Sequence, residues 1–391
     1  MERKSKVLDE NRLINFFGVS FDPCFDPVRV LQKQWAAEAA ELGGVQGIFN
    51  EPYDNLMSYL EDLLSQPRFQ KSGKVFIESW LSPWPDIKDL PFITLDNYVA
   101  FIAKGGCRDY ADRVTEFVEK EVLEGAPAMI GIDHSCTGGV LEALTKRYGK
   151  ENITLLVLDA HFDGIPQSIR YEAIQRIKDS IEASSLINHM PDVFSRVYYT
   201  PSLIVDSYAS GSFLYYLLEE DKVKPSNLKF IGIREYPGKE RVEFLRSKGL
   251  LEEPSIKKMF EIFNDLEERG TQFITRAQIR REGVERALNL LKEIETPYLY
   301  LSVDIDVIAI SAIYGSRSLN LAGLTENQLY EVGLTIKKLL EKDGIQLVGF
   351  DIMETDPYRA GFKINEREID RTYQIEANFI RQLLTDLRLE A

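Results

Sequence analysis

The chain has 391 residues, 44% of them hydrophobic, and a formal net charge of -15. That length suits one large α/β unit, and that apolar share supports a substantial core. So acidic a chain disfavours nucleic acid and anionic membranes as partners, because both are polyanions. Its three scattered cysteines, Cys24, Cys107 and Cys136, contain no CxxC pair and support neither a disulfide framework nor a structural zinc site.

From the N-terminus onward, no stretch approaches the roughly 20 apolar residues of a membrane span, so a soluble, cytoplasmic chain is expected. Short apolar runs then alternate with amphipathic stretches. Strands are predicted at Ala128–Ile132, Thr154–Leu158, Leu228–Ile233, Tyr298–Val303 and Gln346–Phe350, and helices at Arg113–Leu123, Val140–Tyr148, Arg281–Glu293, Glu326–Lys342 and about Glu368 to Leu387. This alternation predicts a three-layer α/β/α sandwich around a mainly parallel sheet, in a single domain spanning residues 1–391. Two stretches fit the alternation poorly and read as insertions, one at about 164–209 and one at about 250–269. The first contains an amphipathic run, YEAIQRIKDSIEASSL, and starts beside the sharpest motif of the chain, where a long connection can serve as a lid.

Four apolar runs end in acidic or histidine-bearing turns. Met129-Ile-Gly-Ile-Asp-His134-Ser135 is equally a structural histidine in a strand-to-helix turn when read alone. In Leu155-Leu-Val-Leu-Asp159-Ala-His161-Phe-Asp163 the spacing is i, i+2, i+4, which in extended chain puts all three side chains on one face. Two carboxylates held together at a buried strand end repel one another unless a cation lies between them. Leu299-Tyr-Leu-Ser-Val-Asp304-Ile-Asp306 repeats the pattern. Leu347-Val-Gly-Phe-Asp351-Ile-Met-Glu354-Thr-Asp356-Pro357 is equally a capped turn when read alone.

The first three motifs together offer His134, Asp159, His161, Asp163, Asp304 and Asp306. Six ligands with four carboxylates suit two divalent cations that share bridges, and oxygen plus imidazole without thiolate suits Mn²⁺ best. Two such ions about 3.5–4 Å apart deprotonate a water at neutral pH.

The blocks GIDHS, LDAHFD, LSVDID and GFDIMETDP, in this order, resemble the ureohydrolase signatures of arginases, agmatinases and formimidoylglutamases. The resemblance runs from about Ala128 to the C-terminus. Weaker echoes lie upstream of it, at Gly18–Asp22, and within it, at Asn227–Arg234. It implies one metal on His134, Asp159, Asp163 and Asp304, and a second on His161, Asp159, Asp304 and Asp306. It further implies water attack on the central carbon of a guanidinium, with Asp163 as proton acceptor, Glu354 holding the guanidinium and Ser318 beside the substrate. The products are urea and an amine. A homo-oligomer, trimer or hexamer, is expected by the same analogy.

Departures from the family pattern bear on the substrate. An arginase carries an Asn, which binds the substrate's α-carboxylate, where this chain has Ile165. Agmatinases carry a proton-shuttle His where it has Ser210, and family members carry Asp-Pro and Thr-Gly-Thr where it has Ala309-Ile310 and Ser316-Arg317-Ser318. Agmatine is the expected substrate, with another guanidino compound or peptide arginine as alternatives. Outside that chemistry the alternatives are a deacetylase-like amide hydrolase and a non-catalytic metal-binding relative. His189, the one histidine outside the metal motifs, is expected to replace the shuttle His from within the 164–209 insertion.

Overall fold

Apolar runs that are hydrophobic on every residue belong in a sheet covered on both faces, and eight parallel strands form one here. The computed structural model describes residues 12–24, 26–41, 50–182, 206–342 and 344–384. Its strands are β1 (Ile14–Val19), β2 (Phe69–Lys74), β3 (Ala126–Gly131), β4 (Ile153–Leu158), β5 (Leu228–Ile233), β6 (Gln272–Thr275), β7 (Tyr298–Asp304) and β8 (Gln346–Met353). They lie in the order β2-β1-β3-β8-β7-β4-β5-β6.

Alternation along each strand feeds two separate cores. In β4, Leu155 and Val157 enter one core, which also takes Val140 and Leu144 of helix Thr137–Tyr148 and Phe263 of helix Pro254–Glu268. Leu156 and Leu158 enter the other, with Leu56 of helix Pro52–Tyr59, Val332 and Ile336 of helix Glu326–Lys342 and Phe379 of helix Thr372–Leu384. The result is the expected α/β/α sandwich. Its four central strands, β3, β8, β7 and β4, all end on the same rim, and such rims are where open α/β sheets place their sites.

Several elements depart from their sequence-based bounds. The helix expected over Arg281–Glu293 is two helices, Arg276–Glu282 and Glu285–Leu291. Gly283 separates them at φ +80°, a left-handed conformation that glycine adopts without a Cβ penalty. The helix expected from Arg113 begins earlier, at Gly106, and loosens into a π turn over Val118–Val122. The stretch 250–269 forms helix Pro254–Glu268, which carries the chain from β5 to the edge strand β6. Of the stretch 164–209, residues 164–182, which include helix Gln167–Glu182, and residues 206–209 are described. His189 lies outside the described residues. Among the described residues no helix is long and apolar enough to cross a membrane.

Candidate metal centre

Each predicted ligand stands where a central strand gives way to a turn. His134 opens a 3-10 turn after β3, with Asp133 accepting from Ser135 N at 3.1 Å. Asp304 ends β7 and accepts from Asp306 N at 2.8 Å, and Asp159 follows β4 and accepts from His161 N at 2.5 Å. The second motif is therefore not extended: β4 stops at Leu158, and Asp159 to Gly164 form a bend and turn. The physical reason is that the chain turns there, so one oxygen of Asp159 and of Asp304 takes a freed backbone N–H and the other is left to face His134. Gly232, at φ +107°, lets β5 close onto this turn, since a Cβ there would lie 3.0 Å from Asp159 O.

The turns converge. Single ligand atoms of His134, Asp159, Asp163 and Asp304 lie within 4.8 Å of one another, as do those of Asp159, His161 and Asp306, and those of Asp304, Asp306 and Glu354. His134 Nδ1 is 3.0 Å from Asp163, 3.4 Å from Asp159 and 3.5 Å from Asp304. His161 Nδ1 is 2.6 Å from Asp306. All six residues predicted from sequence meet, with Glu354 beside them.

The electrostatics of this cluster call for a cation. Burial, with Asp163 and Asp306 beside it, pushes Asp159 well above the usual carboxylate range, and burial with Asp306 and Glu354 does the same to Asp304. Burial opposes charge on His134, yet Asp159, Asp163 and Asp304 outweigh it and raise the imidazole well above its usual value. His161 rises to about 9, burial being outweighed chiefly by Asp306. His134 Nδ1, Asp159 Oδ2 and Asp306 Oδ2 are buried and have no hydrogen-bond partner. A buried polar atom without a partner costs about 1–3 kcal/mol, more when charged. The residues thus fit the donor set of two divalent metal ions.

Comparison with known proteins gives the family. The family model described as the Arginase family matches residues 81–385, well over half of the chain. The chain belongs to the arginase family. Family members hold a binuclear metal site, and the cluster of this chain matches that capacity. Solved structures of similar fold include the arginase of Bacillus caldovelox, at 18% identity over 97% of this chain and 100% of that one, with a TM-score of 0.54. The proclavaminate amidino hydrolase of Streptomyces clavuligerus is 17% identical over 95% of this chain and 90% of its own, with a TM-score of 0.52. The agmatine ureohydrolase of Thermoplasma volcanium is 17% identical over 98% and 94%, with a TM-score of 0.50. No curated protein matches the chain in sequence.

Around the centre this arginase-family chain builds supports that its motifs did not announce. His134 Nε2 lies 2.9 Å from Ser302 Oγ, which donates to Asp351 at 2.7 Å. Thr137 Oγ1 and Tyr300 OH also donate to Asp351, at 2.8 and 2.5 Å. This relay fixes the imidazole so that Nδ1 faces the carboxylates. On the other flank, Glu235 accepts from Phe162 N at 3.2 Å and meets Arg170 at 3.4 Å, so Arg170, on helix Gln167–Glu182, ties the start of the 164–209 stretch to the Asp163 turn. Arg234 Nη2 lies 2.5 Å from His161 Nε2.

The altered positions have structural consequences. Ile165 is fully buried in the core. Ala309 and Ile310 keep their loop paired through Ala309 N to Leu324 O at 2.8 Å and Ile310 N to Asn320 O at 2.7 Å, so the missing Asp-Pro leaves the ligand strand in place. Ser210, Ser318, Arg317 and Glu354 line one cleft of about 210 Å³, together with Asp26, Val28, Arg29, Gln32 and Arg359. Glu354 sits there at φ +63°, left-handed for a residue with a Cβ. Such strain costs on the order of 1–3 kcal/mol and collects at functional positions. Burial pushes Glu354 up to about 7, with Arg317 opposing.

Proposed function

We propose that the chain is a binuclear-metal hydrolase that cleaves a C–N bond of a guanidino or amidino compound, releasing urea and an amine from a guanidine. One observation carries this reading: four aspartates and two histidines meet at the ends of the central strands, with three buried ligand atoms left without a hydrogen-bond partner. His134, Asp159, Asp163 and Asp304 would hold one ion, and Asp159, His161, Asp304 and Asp306 the other. Mn²⁺ suits oxygen and imidazole donors without thiolate. When bound, two such ions supply an activated water at neutral pH.

The chain's own groups do the rest. Glu354, which lines the cleft and lies within reach of Asp304 and Asp306, receives the guanidinium through charge-assisted hydrogen bonds. This presents the substrate's central carbon to the cluster. Asp163 accepts the water's proton and passes it to the departing amine, while Glu235 and Arg170 hold the backbone of its turn. Ser302 and Asp351 keep His134 from rotating. Within this class the resemblance favours agmatine, whereas the charges on the cleft wall favour a different tail. The reading is tested by metal analysis of the purified protein together with urea release from a panel of guanidino compounds. A metal-loaded protein that releases urea from none of them contradicts it.

A further inference from the structure

The cleft that Glu354 lines is also lined by three guanidinium groups, Arg29, Arg317 and Arg359. Their counter-charges are uneven. Arg317 lies 3.3 Å from Asp22 and 3.5 Å from Asp133, and Lys33 stands 3.5 Å from Asp22, so two cations face two carboxylates. Arg29 and Arg359 instead share a single carboxylate, Asp356, at 2.9 and 3.0 Å. Asp26, the other acid on the wall, is exposed and accepts from Val28 N at 2.9 Å, at the start of helix Pro27–Glu41. Arg29 is buried, whereas the Arg359 side chain is 36% exposed and therefore reachable by a ligand. The Arg29–Arg359–Asp356 group thus carries one positive charge more than its carboxylate neutralises, with Asp26 a separate negative charge on the same wall, and it shares the cleft with Glu354.

We infer that the substrate is a guanidino carboxylic acid, with its amidino end on Glu354 and its carboxylate against the Arg29–Arg359 pair. The inference rests on the proposed hydrolase reading and names the tail that this cleft accepts. Two guanidiniums present planar donor edges that match a carboxylate, and they repel an ammonium such as the tail of agmatine. The cleft volume, about 210 Å³, falls below the roughly 300–1,000 Å³ of pockets for drug-sized ligands, which suits a small guanidino compound.

The test uses the metal-loaded protein with 4-guanidinobutyrate, agmatine and a blocked arginine peptide. Urea release gives kcat/KM for each, and calorimetric titration ranks binding of the first two without turnover. 4-Guanidinobutyrate is expected to bind at least about tenfold more tightly than agmatine and to be the best substrate. Arg359→Gln, a change at a partly exposed position, is expected to lower the ratio of its kcat/KM to that of agmatine by about tenfold or more. Agmatine binding as tightly, the peptide being preferred, or an unchanged ratio in Arg359→Gln overturns the carboxylate inference and leaves the hydrolase reading intact. Urea from none of the three overturns the hydrolase reading, and the calorimetric ranking then decides the tail on its own.

Discussion

Asp351→Asn should separate the scaffold of the centre from its ligands. Asp351 is fully buried and collects donors from four places: Thr137 Oγ1 at 2.8 Å, Tyr300 OH at 2.5 Å, Ser302 Oγ at 2.7 Å and Val303 N at 3.3 Å. Asparagine keeps one accepting oxygen, which serves Ser302 and Val303, and turns an amide NH₂ towards Thr137 and Tyr300. Two hydrogen bonds to a charged group, each about 1.5–3 kcal/mol, are thereby weakened or reversed. Partial reorientation of the two hydroxyls recovers some of this, so a net loss of about 2–3 kcal/mol is expected. The larger consequence passes through Ser302. With its acceptor uncharged, Ser302 holds His134 Nε2 less firmly, and loss of such an outer partner typically costs about 10–100-fold in metal affinity. Calorimetric titration of Mn²⁺ into metal-free protein reads the affinity, and thermal unfolding of the metal-free form reads the stability. A variant that unfolds earlier yet binds Mn²⁺ with unchanged affinity would refute the relay and leave Asp351 as a core residue only.

Two further outcomes follow from the site and its surroundings. Glu354→Gln should keep both metals, by elemental analysis, and raise KM for the guanidino substrate by about 10–100-fold, the worth of one charge-assisted hydrogen bond; loss of metal with unchanged KM would make Glu354 structural. Glu376, on helix Thr372–Leu384, is pushed up by burial to about 8 from an ordinary value of 4.5, with Thr355 donating to it at 2.7 Å. A carboxyl raised in the fold contributes stability that is complete below about pH 4.5 and is lost as pH climbs through 8. Glu376→Gln, neutral throughout, should therefore unfold at a higher temperature than the parent at pH 8–9 and converge with it near pH 4, and a lower Tm at pH 9 would contradict the assignment.

The candidate ligands were legible because carboxylates at the ends of apolar strands have few explanations other than a cation. The i, i+2 spacing marked residues that do meet in the fold, although a turn and not an extended strand brings Asp159, His161 and Asp163 together. Asp351 was visible in its motif but its role was not, since its partners Thr137, Tyr300 and Ser302 lie on other elements. The same holds for the cleft: Arg29, Arg317 and Arg359 come from a helix near the N-terminus and two loops of the C-terminal half, and only the fold shows that Arg29 and Arg359 share Asp356. The edge strands were missed for a different reason. β2 reads FQKSGK and is mostly exposed, and β6 has four residues. Neither has the apolar run that betrays a central strand.

The account stands most directly on Asp304, the carboxylate that both ions would share. Metal content by elemental analysis, measured together with urea release for the parent and for Asp304→Ala, tests it in one experiment. The account predicts two divalent ions per chain and urea release in the parent, with metal and turnover lost together in the variant. An Asp304→Ala protein that keeps both ions and releases urea at the parent's rate would contradict it.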